Sequence, residues 1–159
     1  MENRFETFTV LVNRISRNIR RIKNQEMAEY DLRSAHISCL YYLYANPGLT
    51  ATDLCERCEE DKATISRALE FLEGRGYLCC ESKTAKRYKS PLLLTEKGEE
   101  IAGLIAGKID WVLKEVSAGL TEEERLAFYR SLSIISSSLD AVARTSINTL
   151  QAAERNEEK

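Results

Sequence analysis

Few side chains in this sequence have chemistry to offer: five cysteines, a single histidine at position 36, and a knot of cations between Ser82 and Ser90. A lone histidine excludes two-histidine metal motifs and argues against a histidine-based triad. Cys55-x-x-Cys58 has the spacing of half a zinc site. Its counterpart downstream is the adjacent pair Cys79-Cys80, a poor second half for a four-thiolate centre, so the cysteines read as small core residues. Their odd number and the lack of an export signal predict reduced thiols. There is no glycine-rich phosphate loop. No metal, no cofactor and no enzymatic activity is expected.

The cations offer a different chemistry. Lys83, Lys86, Arg87 and Lys89 put a charge of +4 into one short stretch without an acid. Such a loop attracts phosphate, but alone it is usually a solvated turn. Its meaning depends on the elements that hold it.

Those elements can be read from periodicity and punctuation. From Phe5 to about Met27, apolar residues recur at threes and fours (Phe8, Leu11, Val12, Ile15, Ile19, Ile22), one stripe of an amphipathic helix. A second helix is predicted from Ser34 to Ala45, stopped by Asn46-Pro47-Gly48. Thr50 with Asp53 forms a capping box that opens a short helix ending near Cys58. A fourth helix follows from Asp61 or Lys62 to Arg75, closed by Gly76 as a left-handed cap. Two strands, Tyr77 to Glu81 and Tyr88 to Leu94, flank the basic tip. Pro91 is tolerable there on an edge strand. Thr95 opens a long helix to about Ser117. Thr121 and Glu124 cap a last one with an apolar stripe from Leu126 through Tyr129, Leu132, Ile135, Leu139 and Val142 to Leu150.

Helix, short capped helix, turn, helix, strand, basic tip, strand is the order of a winged helix-turn-helix, whose second helix enters the DNA major groove. At 100° per residue Ile65, Leu69 and Leu72 share the core side of that helix. Ala63, Arg67 and Gly74 lie opposite, flanked by Thr64 and Ser66. A small, polar face around one arginine suits close approach to base edges, where arginine makes two hydrogen bonds to guanine. The expected DNA contacts are Lys62, Ala63, Thr64, Ser66 and Arg67 from this helix and Lys83, Lys86, Arg87 and Lys89 from the wing. Thr50 and Thr52, at the N-terminus of the preceding helix, are expected at the phosphate backbone.

The run Asp61-Lys62-Ala63-Thr64-Ile65-Ser66-Arg67, with Leu69, Leu72-Glu73, Gly76-Tyr77-Leu78 and the closing Leu94-Thr95-Glu96-Lys97-Gly98, resembles the MarR family of bacterial transcriptional regulators. The resemblance covers the whole chain in helix order, with its specific motifs between Thr50 and Gly98. It implies a homodimer built from the first and last two helices and a palindromic operator. It also implies an aromatic effector bound between the dimerisation and DNA-binding regions, where Tyr30 and His36 lie. The sequence departs from the family in the wing. Lys86 stands where an acid commonly steadies the following arginine, here Arg87, and Cys80 stands where an arginine is common. Some relatives sense oxidants through a cysteine, but no cysteine here stands beside an obvious pKa-lowering partner in sequence.

The fold expected is therefore mainly α with a small two- to three-stranded β-wing. Residues 1–30 would belong to the dimerisation region, 31–98 to the winged helix-turn-helix, and 99–159 to the helices completing the dimer. The expected partners are double-stranded DNA, a second copy and a small aromatic effector, with repression as the output. Alternatives are a helical protein-interaction module without DNA and a cysteine-based redox-sensing regulator. The longest apolar run, Cys39 to Ala45, is too short for a membrane span, and a cytoplasmic location follows as the default. With 23 basic and 25 acidic residues the net charge of −2 looks unpromising for a nucleic-acid partner. It is an average, however, over a basic wing, a basic stretch from Arg14 to Lys23, and acids gathered elsewhere.

Overall fold

The computed structural model describes residues 4–80 and 90–157, with side chains described over 7–79 and 90–145. The basic tip, with Lys83, Lys86, Arg87 and Lys89, lies outside the described residues, as do the outer ends of both predicted strands. The elements in chain order are α1 (Arg4–Glu26), a 3-10 turn (Ala28–Tyr30), α2 (Ser34–Ala45), α3 (Ala51–Cys58) and α4 (Lys62–Gly74). Then come β1 (Leu78–Cys80), β2 (Leu92–Leu94), α5 (Glu96–Val116) and α6 (Glu122–Glu157). The chain divides into two compact units, one ending at Trp111 and the other beginning at Val112.

The first unit is organised around α2, α3 and α4. Cys39 and Leu40 of α2, Leu54 of α3, and Ile65 and Leu72 of α4 are wholly removed from solvent. Local signals set where each helix stops. Thr50 accepts from the Asp53 N–H to open α3. Glu59 then takes a left-handed conformation (φ 51°) to end it, and Asp61 caps α4. Gly76, at φ 73°, turns the chain out of α4 into β1 at no steric cost.

β1 and β2 form an antiparallel pair in the register Leu78↔Leu94, Cys79↔Leu93 and Cys80↔Leu92. Among the described residues the sheet has these two strands. The Leu92 N–H also donates to the Leu49 carbonyl at 3.0 Å, tying the wing base to the turn before α3. Pro91 sits just outside β2, where its missing N–H costs no ladder bond.

The second unit holds the end of α5 and the 36-residue α6. Its opening cap is reciprocal. Thr121 N–H donates to Glu124 Oε2 at 2.8 Å, and Glu124 N–H donates to Thr121 Oγ1 at 3.2 Å. The apolar stripe of α6 is exposed in the single chain, from Ile135 at 38% to Val142 at 62%. Leu11, Ile15 and Ile19 of α1 are likewise about half exposed. Exposed apolar stripes this long are unusual on a single chain.

Candidate nucleic-acid interface

Helix α4 presents two faces. Ile65, Ala68, Leu69 and Leu72 are buried, which fixes the helix about its axis. Lys62, Ala63, Arg67 and Gly74 are exposed on the other side, with Thr64 and Ser66 half-buried on the flanks, as the 100° projection predicts.

Three residues spaced three apart run along one edge of this helix as a hydrogen-bonded chain. Asp61 Oδ1 accepts from the Thr64 N–H at 2.8 Å, and the Thr64 hydroxyl donates to Asp61 Oδ2 at 3.0 Å. Arg67 Nη2 in turn donates to Thr64 Oγ1 at 3.3 Å. The backbone N–H and hydroxyl of Thr64 hold the Asp61 carboxyl below its ordinary range, so it is ionised and remains an acceptor. Thr64 is thereby occupied in orienting Arg67, and the guanidinium keeps its other N–H groups for an external acceptor. The sequence reading gave Arg67 a role but missed this support. Its signal was the spacing D-x-x-T-x-x-R.

The far end of α4 is fixed by contacts remote in sequence. Phe71 stacks on His36 of α2, ring centroids 4.2 Å apart and 1° from parallel. Arg75 lies over the Phe71 ring at 5.1 Å and donates to Asp31 at 2.8 Å. His36 Nδ1 accepts from the Arg33 N–H at 3.1 Å, which closes the first turn of α2. Burial first, and then the charge of Arg33, pull the imidazole pKa below its ordinary value, partly offset by Asp31. The ring is therefore the neutral acceptor that the bond needs. Tyr30, the other expected effector contact, is half-buried and packed against the core.

At the start of α3, Thr50 donates its N–H and its hydroxyl to Asp53 Oδ2 at 2.7 and 2.8 Å. Its hydroxyl is thus engaged as a cap, while Thr52 is exposed. An open depression of about 420 Å³ on α1 is lined by Ser16, Arg17, Arg20, Arg21, Asn24 and Gln25. It contains neither Tyr30 nor His36.

The base of the wing is clamped to α4 by the segment after β2. Thr95 N–H donates to the Tyr77 carbonyl at 3.1 Å, and the Thr95 hydroxyl to the Gly76 carbonyl at 2.7 Å. Thr95 Oγ1 then accepts from the Gly98 N–H at 3.1 Å, capping α5. Lys97 donates to the Arg75 carbonyl at 2.8 Å, with its ammonium 4.6 Å from the Tyr77 ring centre. Gly98 is needed because a Cβ there would collide with the Tyr77 carbonyl oxygen. The run Thr95-Glu96-Lys97-Gly98 is thus a joint holding the end of α4, the strand β1 and α5 together.

Among the described residues, no group of three or more His, Cys, Asp or Glu side chains is placed to hold a metal ion. No described helix is long and apolar enough to cross a membrane.

Residues 30–87 match the model of the MarR family. A curated relative, the HTH-type transcriptional regulator YybA of Bacillus subtilis (strain 168), is 27% identical over 114 residues, covering 72% of this chain and 76% of that protein. Among solved structures, a MarR family regulator from Neisseria meningitidis, NMB1585, superposes with a TM-score of 0.78. It shares 19% identity over 91% of this chain and 99% of its own. MepR of S. aureus, solved as a DNA complex, superposes with a TM-score of 0.74 at 23% identity, over 83% of this chain and 97% of its own. At such identities the superpositions show the winged-helix fold.

Proposed function

We propose that this chain is a transcriptional regulator of the MarR family, whose model matches residues 30–87, and that it works as a homodimer that recognises a palindromic DNA operator and represses transcription. The observation that carries the proposal is the outward face of α4. It is small enough to reach base edges, and it bears Arg67 steadied through Thr64 by Asp61 while four buried residues fix the helix behind it. In this reading Lys62, Ala63, Thr64, Ser66 and Arg67 lie in the major groove. Arg67 reads a guanine through paired hydrogen bonds. Lys83, Lys86, Arg87 and Lys89 form a phosphate clamp beside it, and Thr50 and Thr52 stand at the backbone. The solved DNA complex of MepR, a protein of the same fold, supports this arrangement.

Dimerisation supplies the second half-site. The exposed stripes of α1 and α6 give two copies something to bury, and a two-fold dimer sets half-sites about one helical turn, roughly 10 base pairs, apart. The effector belongs to the same proposal. An aromatic molecule that took the place of Phe71 on His36 would unseat the C-terminal end of α4, with Tyr30 beside it.

Gel shifts at two salt concentrations test the proposal. Phosphate contacts release counterions, so binding must weaken steeply as salt rises. No binding at either concentration would leave the protein-interaction module as the reading. Supplying the chain to a reporter behind its selected operator should silence that reporter.

A further inference from the structure

Helix α1 keeps its two sides chemically apart. The apolar stripe from Leu11 through Ile15 and Ile19 to Ile22 runs down one side. Arg14, Arg17, Arg20 and Arg21 stand on the other, all exposed, and no acidic residue occurs between Thr7 and Gln25. Side chains three or four apart on a helix are neighbours, and like charges so placed destabilise it. Cations elsewhere have acids at hand: Arg75 pairs with Asp31, Lys108 with Glu26 and Arg125 with Glu122. Among the described residues none of the four α1 arginines is in an ion pair.

Three of these arginines surround a hollow. Arg17, Arg20 and Arg21, with Ser16, Asn24 and Gln25, line the open depression of about 420 Å³, a volume within the range of small-molecule sites. One part of its lining is anchored from outside the helix. Asn24 Oδ1 accepts from the Ser34 N–H at the start of α2, at 3.0 Å. With its oxygen so engaged, Asn24 keeps its amide N–H groups as donors. The lining thus offers fixed cations and neutral donors without an acid.

We propose that this depression binds a small anion carrying two or more adjacent phosphate groups, either a free condensed phosphate or the phosphate tail of a nucleotide. The chemistry of the lining selects that class. A guanidinium is charged at every physiological pH, and its fork makes paired hydrogen bonds to phosphate oxygens. A single carboxylate would satisfy one such fork and leave the others facing each other. Linked phosphates can engage all three, which relieves the repulsion that α1 otherwise carries. Ser16, Asn24 and Gln25 then donate to the remaining oxygens.

The site is separate from the face proposed for DNA. Lys23 of α1 donates to the hydroxyl of Ser38 in α2 at 2.9 Å, whereas His36, two positions earlier, stacks on Phe71 of α4. Residues two apart on a helix point in nearly opposite directions, so α2 lies between α1 and α4. A duplex seated on the outward face of α4 is then remote from the arginines of α1. This favours a small anion over DNA as their partner, and the site does not depend on the function proposed above.

The test titrates the full-length protein with sodium tripolyphosphate in a calorimeter at physiological ionic strength, where saturable binding is expected. Arg17→Gln with Arg21→Gln removes two charges and keeps long polar side chains. It should weaken binding about tenfold or more. Lys83→Gln with Lys86→Gln in the wing, and Arg125→Gln on α6, should leave binding unchanged. Circular dichroism checks that each variant folds. Adenosine monophosphate should bind about tenfold more weakly than tripolyphosphate, and equal binding would overturn the need for adjacent phosphates. Adenosine triphosphate bound as tightly as tripolyphosphate identifies the phosphates alone as what is held, and tighter binding identifies a nucleotide; either result supports the site. Absence of saturable binding overturns it. So does binding that the wing variant loses and the α1 variant keeps. Gel shifts with the same proteins separate this site from the DNA face: an α1 variant that loses operator binding but keeps tripolyphosphate would make α1 a DNA contact and overturn the proposal. Tripolyphosphate binding in a protein that binds no DNA would leave this site standing and sink the function proposed above.

Discussion

Replacing Gly98 by alanine sets two physical effects against one another with opposite signs. Helix propensity alone favours the change, by at most about 1 kcal/mol in the first turn of α5. Space opposes it. The new methyl would overlap the Tyr77 carbonyl oxygen and lie 2.9 Å from its carbon and 3.3 Å from Leu94 Cδ2. Backbone atoms do not swing aside as a flexible side chain does, so α5 must retreat. Overpacking of this kind costs about 1–3 kcal/mol. The retreat also stretches the Thr95 bonds to the Tyr77 and Gly76 carbonyls, each worth about 1 kcal/mol. The expected net loss is about 2–4 kcal/mol, read as a lower urea midpoint at matched protein concentration. Gly74→Ala is the control, because nothing lies within 4 Å of its added Cβ. It should be neutral or stabilising by up to about 1 kcal/mol. A Gly98→Ala protein as stable as the parent would refute the joint between wing and helix described above.

Arg67→Ala should relax sequence preference at one base position per half-site, by about 1–3 kcal/mol of discrimination, in a site-selection assay. Lys86→Ala should weaken binding to all sequences alike and lower the salt slope by about one. For His36 the folded pKa lies below the ordinary 6.5, so the unfolded chain takes up the proton more readily. Stability should fall as pH drops below about 6.5, and His36→Phe should lose this part of the decline. The capping carboxyls of Asp53, Asp61 and Glu124 are shifted down and add a loss only at more acidic pH, which unfolding curves across both windows would separate. Charge placed on the α6 stripe, as in Leu132→Asp with Leu139→Asp, should turn a dimer into a monomer in sedimentation velocity.

Local chemistry made most of the architecture legible. Thr50 with Asp53, Thr121 with Glu124, Asn46-Pro47-Gly48 and Gly76 each act within a few residues of themselves, so the helix ends they set could be placed in advance. The faces of α4 followed from periodicity, since Ile65, Leu69 and Leu72 can share one side only if Arg67 lies on the other. What stayed hidden was tertiary. The Arg75–Asp31 bridge spans 44 positions, and the stacking of His36 on Phe71 and the bond from Lys23 to Ser38 depend on how α1, α2 and α4 cross. The 3-10 turn Ala28–Tyr30 was missed because nothing in Met27-Ala28-Glu29-Tyr30 marks it. The net charge misled for a related reason: a sum over the chain carries no position. The segment Leu94-Thr95-Glu96-Lys97-Gly98 was visible as a pattern, but only the geometry around Thr95 and Gly98 gives its physical reason.

The most direct test of the central claim is selection of DNA sites from a random library by the purified protein. The pool should converge on an inverted repeat with half-sites about one helical turn apart, and Arg67→Ala should erase the preference at one symmetric pair of positions. A pool that fails to converge, or one whose consensus the Arg67 variant reproduces unchanged, would contradict the account.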